Sequence, residues 1–320
     1  MRRLTNRARR APSKNVLPPN RSRGLLGDNI FCRLGSHRRF APPRVPSGNI
    51  ILMSPANRAA HLRIAVADAV LDCNDSGGDG QPVIFLNGAF GTQRDWKKVL
   101  RDLDRSYRTI TYDERARGKS TKSQDYSFPG CLQDLSAVII ATGVQRTLLV
   151  GWSLGAAIAV RYAADHPDNV AGILLIDGAY PIPTFTEAQK ENIRRAFSRM
   201  ALLLPLAAMF GKGARMSASE AASLNIEIHD ILILRNIGPA YDRIHCPVYF
   251  ISAAKSSTGR SEEHLREMRA SIDALVAQHP NISFYKTLPC THANILSRQS
   301  DTIAAAIADL SRRSDHRLHL

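Results

Sequence analysis

A serine does covalent chemistry only if its hydroxyl is presented to a substrate, a base can take its proton, and donors await the charge that develops. Ser153 meets the first requirement on local sequence. It lies in Gly151-Trp152-Ser153-Leu154-Gly155, entered from Thr147-Leu148-Leu149-Val150 and left by a helical pattern over residues 156–162. Strand, tight turn, helix is the setting in which G-x-S-x-G holds a serine on a strained bend with its hydroxyl above the sheet edge. Gly151 and Gly155 are expected because a Cβ at either would strike the neighbouring strand and helix. The unpaired N–H groups at the start of the following helix point at the serine, ready for negative charge. Ser153 is the expected nucleophile.

Such a bend needs a sheet to stand on. A chain of 320 residues, 44% hydrophobic, can bury a full-sized core. After Met53, strands and amphipathic helices alternate. Residues 62–73 read as one or two short strands, and Val83–Leu86 as a strand buried on both faces. A helix around Trp96, Val99, Leu100 and Leu103 follows, then a strand over 107–112 and a helix carrying Leu132, Leu135, Val138 and Ile139. Beyond the serine come strands at 172–176, 248–252 and 282–288, with helices near 261–278 and 301–310. This rhythm predicts an open, mostly parallel, doubly wound α/β sheet covered by helices on both sides. Residues 181–243 break it, being helical and apolar over 200–210 and 226–237, and read as an inserted helical cap. The expected organisation is a core of 53–180 and 244–313, the cap between them, and a tail of 314–320.

The formal charge of +15 is unevenly spread. Residues 1–52 hold 12 arginines and lysines against one acid, Asp28, so only +4 belongs to residues 53–320. The basic segment is rich in proline, lacks an apolar period and is expected to be disordered. Without an apolar stretch of about 7–15 residues it does not read as a secretory signal. A transit peptide, a polyanion-binding arm and a reading frame truly starting at Met53 stay open, with a functionally neutral tail favoured. Its two aromatics, Phe31 and Phe40, are thin for base stacking, so no specific nucleic-acid partner is expected. The five cysteines are scattered, without C-x-x-C, which points to free thiols in a reducing, cytoplasmic setting. No run of about 18 apolar residues suggests a membrane span.

Three more motifs fall in order around the serine. Asn87-Gly88-Ala89-Phe90 follows a strand, residues 112–120 read Tyr-Asp-Glu-Arg-Ala-Arg-Gly-Lys-Ser, and Cys290-Thr291-His292 precedes the last helix. From about residue 62 to 311 the chain resembles the α/β-hydrolase superfamily, whose members carry an oxyanion loop, an Asp-x-Arg-x-x-Gly-x-Ser turn and a late histidine at these places. The resemblance implies His292 as the base, and the N–H groups of Leu154 and Ala89 as the oxyanion hole. Asn87 stands where the family has histidine, and a loop-holding hydrogen-bonding role is expected of it. The acid departs from the usual pattern: residues 252–259, where the family often carries Gly-x-x-Asp, hold no carboxylate. Asp177, at the end of the strand after the nucleophile helix, is preferred. Glu262 and Glu263, at the start of a later helix, are the alternatives.

The expected activity is cofactor-independent serine hydrolysis of a small apolar ester, lactone or thioester through an acyl-enzyme. Serine at the elbow disfavours chemistry through an alkyl-enzyme ester on aspartate. No nucleotide-binding glycine run and no metal-ligand spacing appear, so no cofactor or metal is expected. Phe90 and Trp152 are candidate pocket walls, and the apolar cap predicts an apolar acyl or ring portion in the substrate. A carbon–carbon bond hydrolase and a non-catalytic, ligand-binding relative are the alternatives. The oligomeric state is not legible.

Overall fold

The computed structural model describes residues 58–181, 187–199, 214–233, 237–255 and 262–316. The expectations for residues 1–52 and for the apolar stretch 200–210 of the cap lie outside the described residues, as do the side chains of Glu262 and Glu263.

The chain opens with an antiparallel hairpin, β1 (Ala60–Val66) and β2 (Ala69–Asp75). β3 (Pro82–Leu86) starts on proline, tolerated at a first strand position because no ladder N–H is needed there. The helix expected around Trp96 is divided into a 3₁₀ turn, Gln93–Trp96, and α1 (Lys97–Asp102). Asp95 starts that turn by accepting the Thr92 N–H at 2.9 Å. β4 (Arg108–Asp113) leads to α2 (Phe128–Thr142). Ser127 caps α2 by accepting the Gly130 N–H at 3.2 Å, and Gly143 ends it in the left-handed region at φ 65°. β5 (Thr147–Trp152) runs directly into α3 (Leu154–Asp165), and β6 (Val170–Ile176) follows. The described part of the cap consists of α4 (Glu187–Arg199), α5 (Ala218–Ile233) and the short α6 (Gly238–Tyr241). β7 (Val248–Lys255), α7 (Glu262–Gln278), β8 (Ile282–Thr291), α8 (Ile295–Arg298) and α9 (Ser300–His316) complete the chain. The helix continues through Ser314, which is buried with its hydroxyl on the Ser311 carbonyl, so the expected tail begins inside α9.

The eight strands form one sheet in the order β1-β2-β4-β3-β5-β6-β7-β8. β2 is antiparallel to β1 and β4, and every pair from β4 onward is parallel. Side chains alternate between the faces. Ile84, Leu86, Leu149 and Leu175 pack with Leu135 of α2 and Val160 of α3 on one side. Val83, Phe85, Leu148 and Val150 pack with Val99 of α1 and Ile307 and Leu310 of α9 on the other. Burial on both faces explains why β3, β5 and β6 read as unbroken apolar runs. The strand order reverses at β3, with β4 and β5 on either side, and ligands in such sheets bind in the crevice beyond the carboxyl ends of the strands at this point.

Candidate active site

Ser153 occupies that crevice. It lies between β5 and α3 with φ 57° and ψ −112°, a conformation costly to a residue bearing a Cβ. The bend closes only because its flanks lack side chains. A Cβ on Gly151 would lie 2.3 Å from the Gly155 carbonyl oxygen, and one on Gly155 would lie 2.2 Å from that of Leu86. Gly178 serves the next strand end, where a Cβ would meet the Ser153 carbonyl oxygen at 2.4 Å. The Ser153 N–H donates to the Ile176 carbonyl at 3.0 Å, tying the elbow to β6.

The His292 ring bridges the serine and Asp177. Its Nε2 lies 3.1 Å from Ser153 Oγ, and its Nδ1 lies 2.6 Å from Asp177 Oδ2. The three side chains arrive from the carboxyl ends of β5, β8 and β6, which the sheet order brings to one edge. Asp177 is fully buried with φ 48°, and its other oxygen accepts the Tyr180 hydroxyl at 2.9 Å and the Ala253 N–H at 3.1 Å. Among the described residues, two donors and the His292 ring address this one carboxylate. Tyr241 secures the neighbouring loop by donating its hydroxyl to the Ala179 carbonyl at 2.7 Å. Of the other histidines, His166 ends α3 and packs its ring on Tyr162, while His279 faces Asp242 at 3.6 Å. Cys290 is no rival nucleophile: burial, and then the charge of Asp177, push its thiol up to about 11.

Leu154 is the first residue of α3, so its N–H has no partner one turn back. At the other expected donor, the Gly88 carbonyl accepts the Gly91 N–H at 2.9 Å. In a trans peptide the N–H of Ala89 then points the opposite way, out of that turn. Asn87 holds the loop as expected: it donates to the Tyr112 carbonyl at 2.7 Å and to Glu114 at 2.9 Å, and accepts from Trp96 Nε1 at 2.8 Å.

Trp152 and Phe90, the expected pocket walls, flank the nucleophile and the oxyanion loop in sequence. The Trp152 ring lies 5.4 Å from the His292 ring, and a Cβ on Gly88 would come within 2.9 Å of its Cε3. The tryptophan is thus wedged between the glycine loop and the histidine. Phe90 packs on Phe197 of α4 with centroids 5.5 Å apart, so a cap helix touches the loop beside the serine. Sequence reasoning missed Phe197, Tyr180, Glu114 and Arg117. Tyr180 stands three residues after Asp177 and Arg117 lies inside the 113–120 motif, so only their partners were hidden. Among the described residues, no group of three or more His, Cys, Asp or Glu side chains is placed to hold a metal ion, and no helix is long and apolar enough to cross a membrane.

Comparison with known proteins agrees with this fold. A family model described as the alpha/beta hydrolase fold matches residues 81–228. The Escherichia coli O150:H5 protein named "Putative carbamate hydrolase RutD" is 27% identical over 196 residues, covering 55% of this chain and 74% of that protein. A structure from work on carboxylesterases of the thaumarchaeon Nitrososphaera gargenis matches 79% of this chain and 99% of its own at 17% identity, with a TM-score of 0.62. A bromoperoxidase from Bacillus anthracis matches 80% of this chain and all of its own at 18% identity, with a TM-score of 0.61.

Proposed function

The chain is a member of the α/β-hydrolase superfamily, and from that premise we propose that it is a cofactor-independent serine hydrolase acting through an acyl-enzyme. One observation carries the reading: a continuous path from Ser153 Oγ through His292 to Asp177, with links of 3.1 and 2.6 Å. Ser153 attacks the carbonyl carbon while His292 Nε2 takes its proton. Asp177 holds the ring with its Nδ1 proton inward, leaving Nε2 free to accept. The tetrahedral oxyanion is met by the N–H groups of Leu154 and Ala89, each such donor contributing on the order of 3 kcal/mol. His292 then returns the proton to the leaving group, and a water deprotonated by the same ring releases the acyl group.

Phe90, Phe197 and Trp152 favour a substrate with a small apolar acyl or ring portion, as an ester, lactone or thioester. A carbamate is the second reading, favoured by the relative named a carbamate hydrolase; the same acyl transfer would serve it. A non-catalytic, ligand-binding relative would need no carboxylate beside the base, whereas Asp177 lies 2.6 Å from His292 Nδ1.

A fluorophosphonate tests the reading directly. It should label Ser153 stoichiometrically, with labelling and p-nitrophenyl butyrate hydrolysis both lost in Ser153→Ala. A folded wild-type protein that neither labels nor hydrolyses would overturn the assignment.

A further inference from the structure

We propose that the turn between Asp113 and Ser120 is a clamp that sets the oxyanion loop, with Arg117 and Glu114 as positioning residues for the reaction; this rests on the serine-hydrolase reading above. The loop to be set is short: Asn87, Gly88 and Ala89, with the Ala89 N–H as the working donor. Glu114 holds one end. Its carboxylate oxygens accept the Asn87 side-chain amide at 2.9 Å and, more loosely, the Asn87 backbone N–H at 3.4 Å. Arg117 holds the other. Its Nε and Nη2 donate to the Ala89 carbonyl at 3.0 and 2.7 Å, and its Nη1 donates to the Arg115 carbonyl at 2.7 Å. The Gly88–Ala89 peptide, which carries the oxyanion donor, is thus flanked on both sides by bonds to one turn.

The burial of both side chains argues for more than loop stability. Arg117 is 1% exposed and Glu114 2% exposed. Removing a guanidinium from water is costly, and the bonds described here take it to backbone carbonyls that turns ordinarily satisfy with neutral groups. A charged fork on one carbonyl provides what a neutral donor does not. Its two bonds converge on the oxygen of the Ala89–Phe90 peptide, next to the peptide that carries the donor, and it places positive charge beside the loop that meets a developing oxyanion. The turn is itself braced by the cap. The Arg215 N–H donates to the Ala116 carbonyl at 2.8 Å, and Ala214 forms a bridge with Arg117 just ahead of α5.

The test compares Arg117→Met, Arg117→Lys and Glu114→Gln with wild type in p-nitrophenyl butyrate hydrolysis, with kcat expressed per serine titrated by fluorophosphonate. A trifluoromethyl ketone, which forms a tetrahedral adduct on the serine, serves as the second probe. Arg117→Met should lose about 10- to 100-fold in kcat per titrated serine, because a donor displaced by about an ångström forfeits much of its effect. KM should change less than about threefold, since the loop meets charge that is absent from the ground state. Ketone affinity should fall in parallel with kcat. Arg117→Lys, keeping the charge but not the fork, should recover part of the loss, and Glu114→Gln should show a smaller loss of the same kind. A turn that only supports the fold would lower the unfolding temperature and the titratable fraction while leaving kcat per serine unchanged. That outcome, or Arg117→Met within about threefold of wild type, overturns the clamp. Should Arg117→Met fail to fold, Arg117→Lys and Glu114→Gln decide by the same ratio. A wild-type protein without label or turnover overturns the hydrolase reading itself, whereas an active wild type with indifferent variants overturns the clamp alone.

Discussion

Replacing Asp177 by asparagine keeps shape and volume while removing charge, and the bonds around this residue say what should follow. Oδ1 faces two donors, the Tyr180 hydroxyl and the Ala253 N–H, and Oδ2 faces His292 Nδ1. Asparagine has one oxygen. With that oxygen toward the two donors, its NH₂ points at Nδ1 and forces the imidazole proton onto Nε2, where it faces Ser153 and blocks proton acceptance. The opposite flip restores the tautomer but sets NH₂ against the two donors. Each bond lost there costs about 1–3 kcal/mol, so the productive flip lies about 2–6 kcal/mol above the unproductive one. The corresponding loss in kcat is roughly 30- to 10⁴-fold, the upper end being typical when a triad histidine is held in the wrong tautomer. The assay is p-nitrophenyl butyrate hydrolysis alongside the rate of fluorophosphonate labelling, with urea unfolding as a control. An Asp177→Asn variant that folds normally and keeps kcat within tenfold of wild type would refute the assignment and return attention to Glu262 and Glu263.

Three further outcomes are expected. Tyr180→Phe removes one of the two donors on Asp177 Oδ1 and should lower kcat about tenfold with little change in KM, a hydrogen bond to a charged group being worth about 1.5–3 kcal/mol; unchanged kcat would remove Tyr180 from the machinery. Gly155→Ala, whose Cβ would lie 2.2 Å from a β3 carbonyl oxygen, should destabilise the fold by more than about 3 kcal/mol in urea, because backbone on both sides cannot yield as a side chain can; a variant within about 1 kcal/mol of wild type would contradict the packing of the elbow. Glu114 should make stability depend on pH. Burial pushes its carboxyl up to about 7, against the pull of Arg117 and the Asn87 bond, with Asp113 raising it further and Tyr112 and Cys131 also facing it. A raised acid favours the folded state fully below the unfolded value near 4.5 and loses that contribution as pH rises through about 7, a change on the order of 3 kcal/mol. Urea unfolding at pH 5 and pH 8 should therefore show the stability of wild type relative to Glu114→Gln falling toward the higher pH, and a flat difference would contradict the assigned burial.

What the sequence determined by itself was whatever depends on neighbours along the chain. The bend at Ser153 was legible because the glycines that permit it are two residues away on either side, and the apolar runs of β3, β5 and β6 announced a sheet covered on both faces. Only the tertiary structure decided which groups meet. Asp177 and His292 are 115 residues apart, and Ser153 and His292 139 apart. Their meeting depends on the order of β5, β6, β7 and β8, which apolar patterning does not encode, since any buried parallel strand reads alike. The grip of Arg117 on Ala89, 28 residues away, was hidden for the same reason. Propensity and periodicity record how a segment folds, while a site assembled from four strand ends comes from the order in which the sheet joins them.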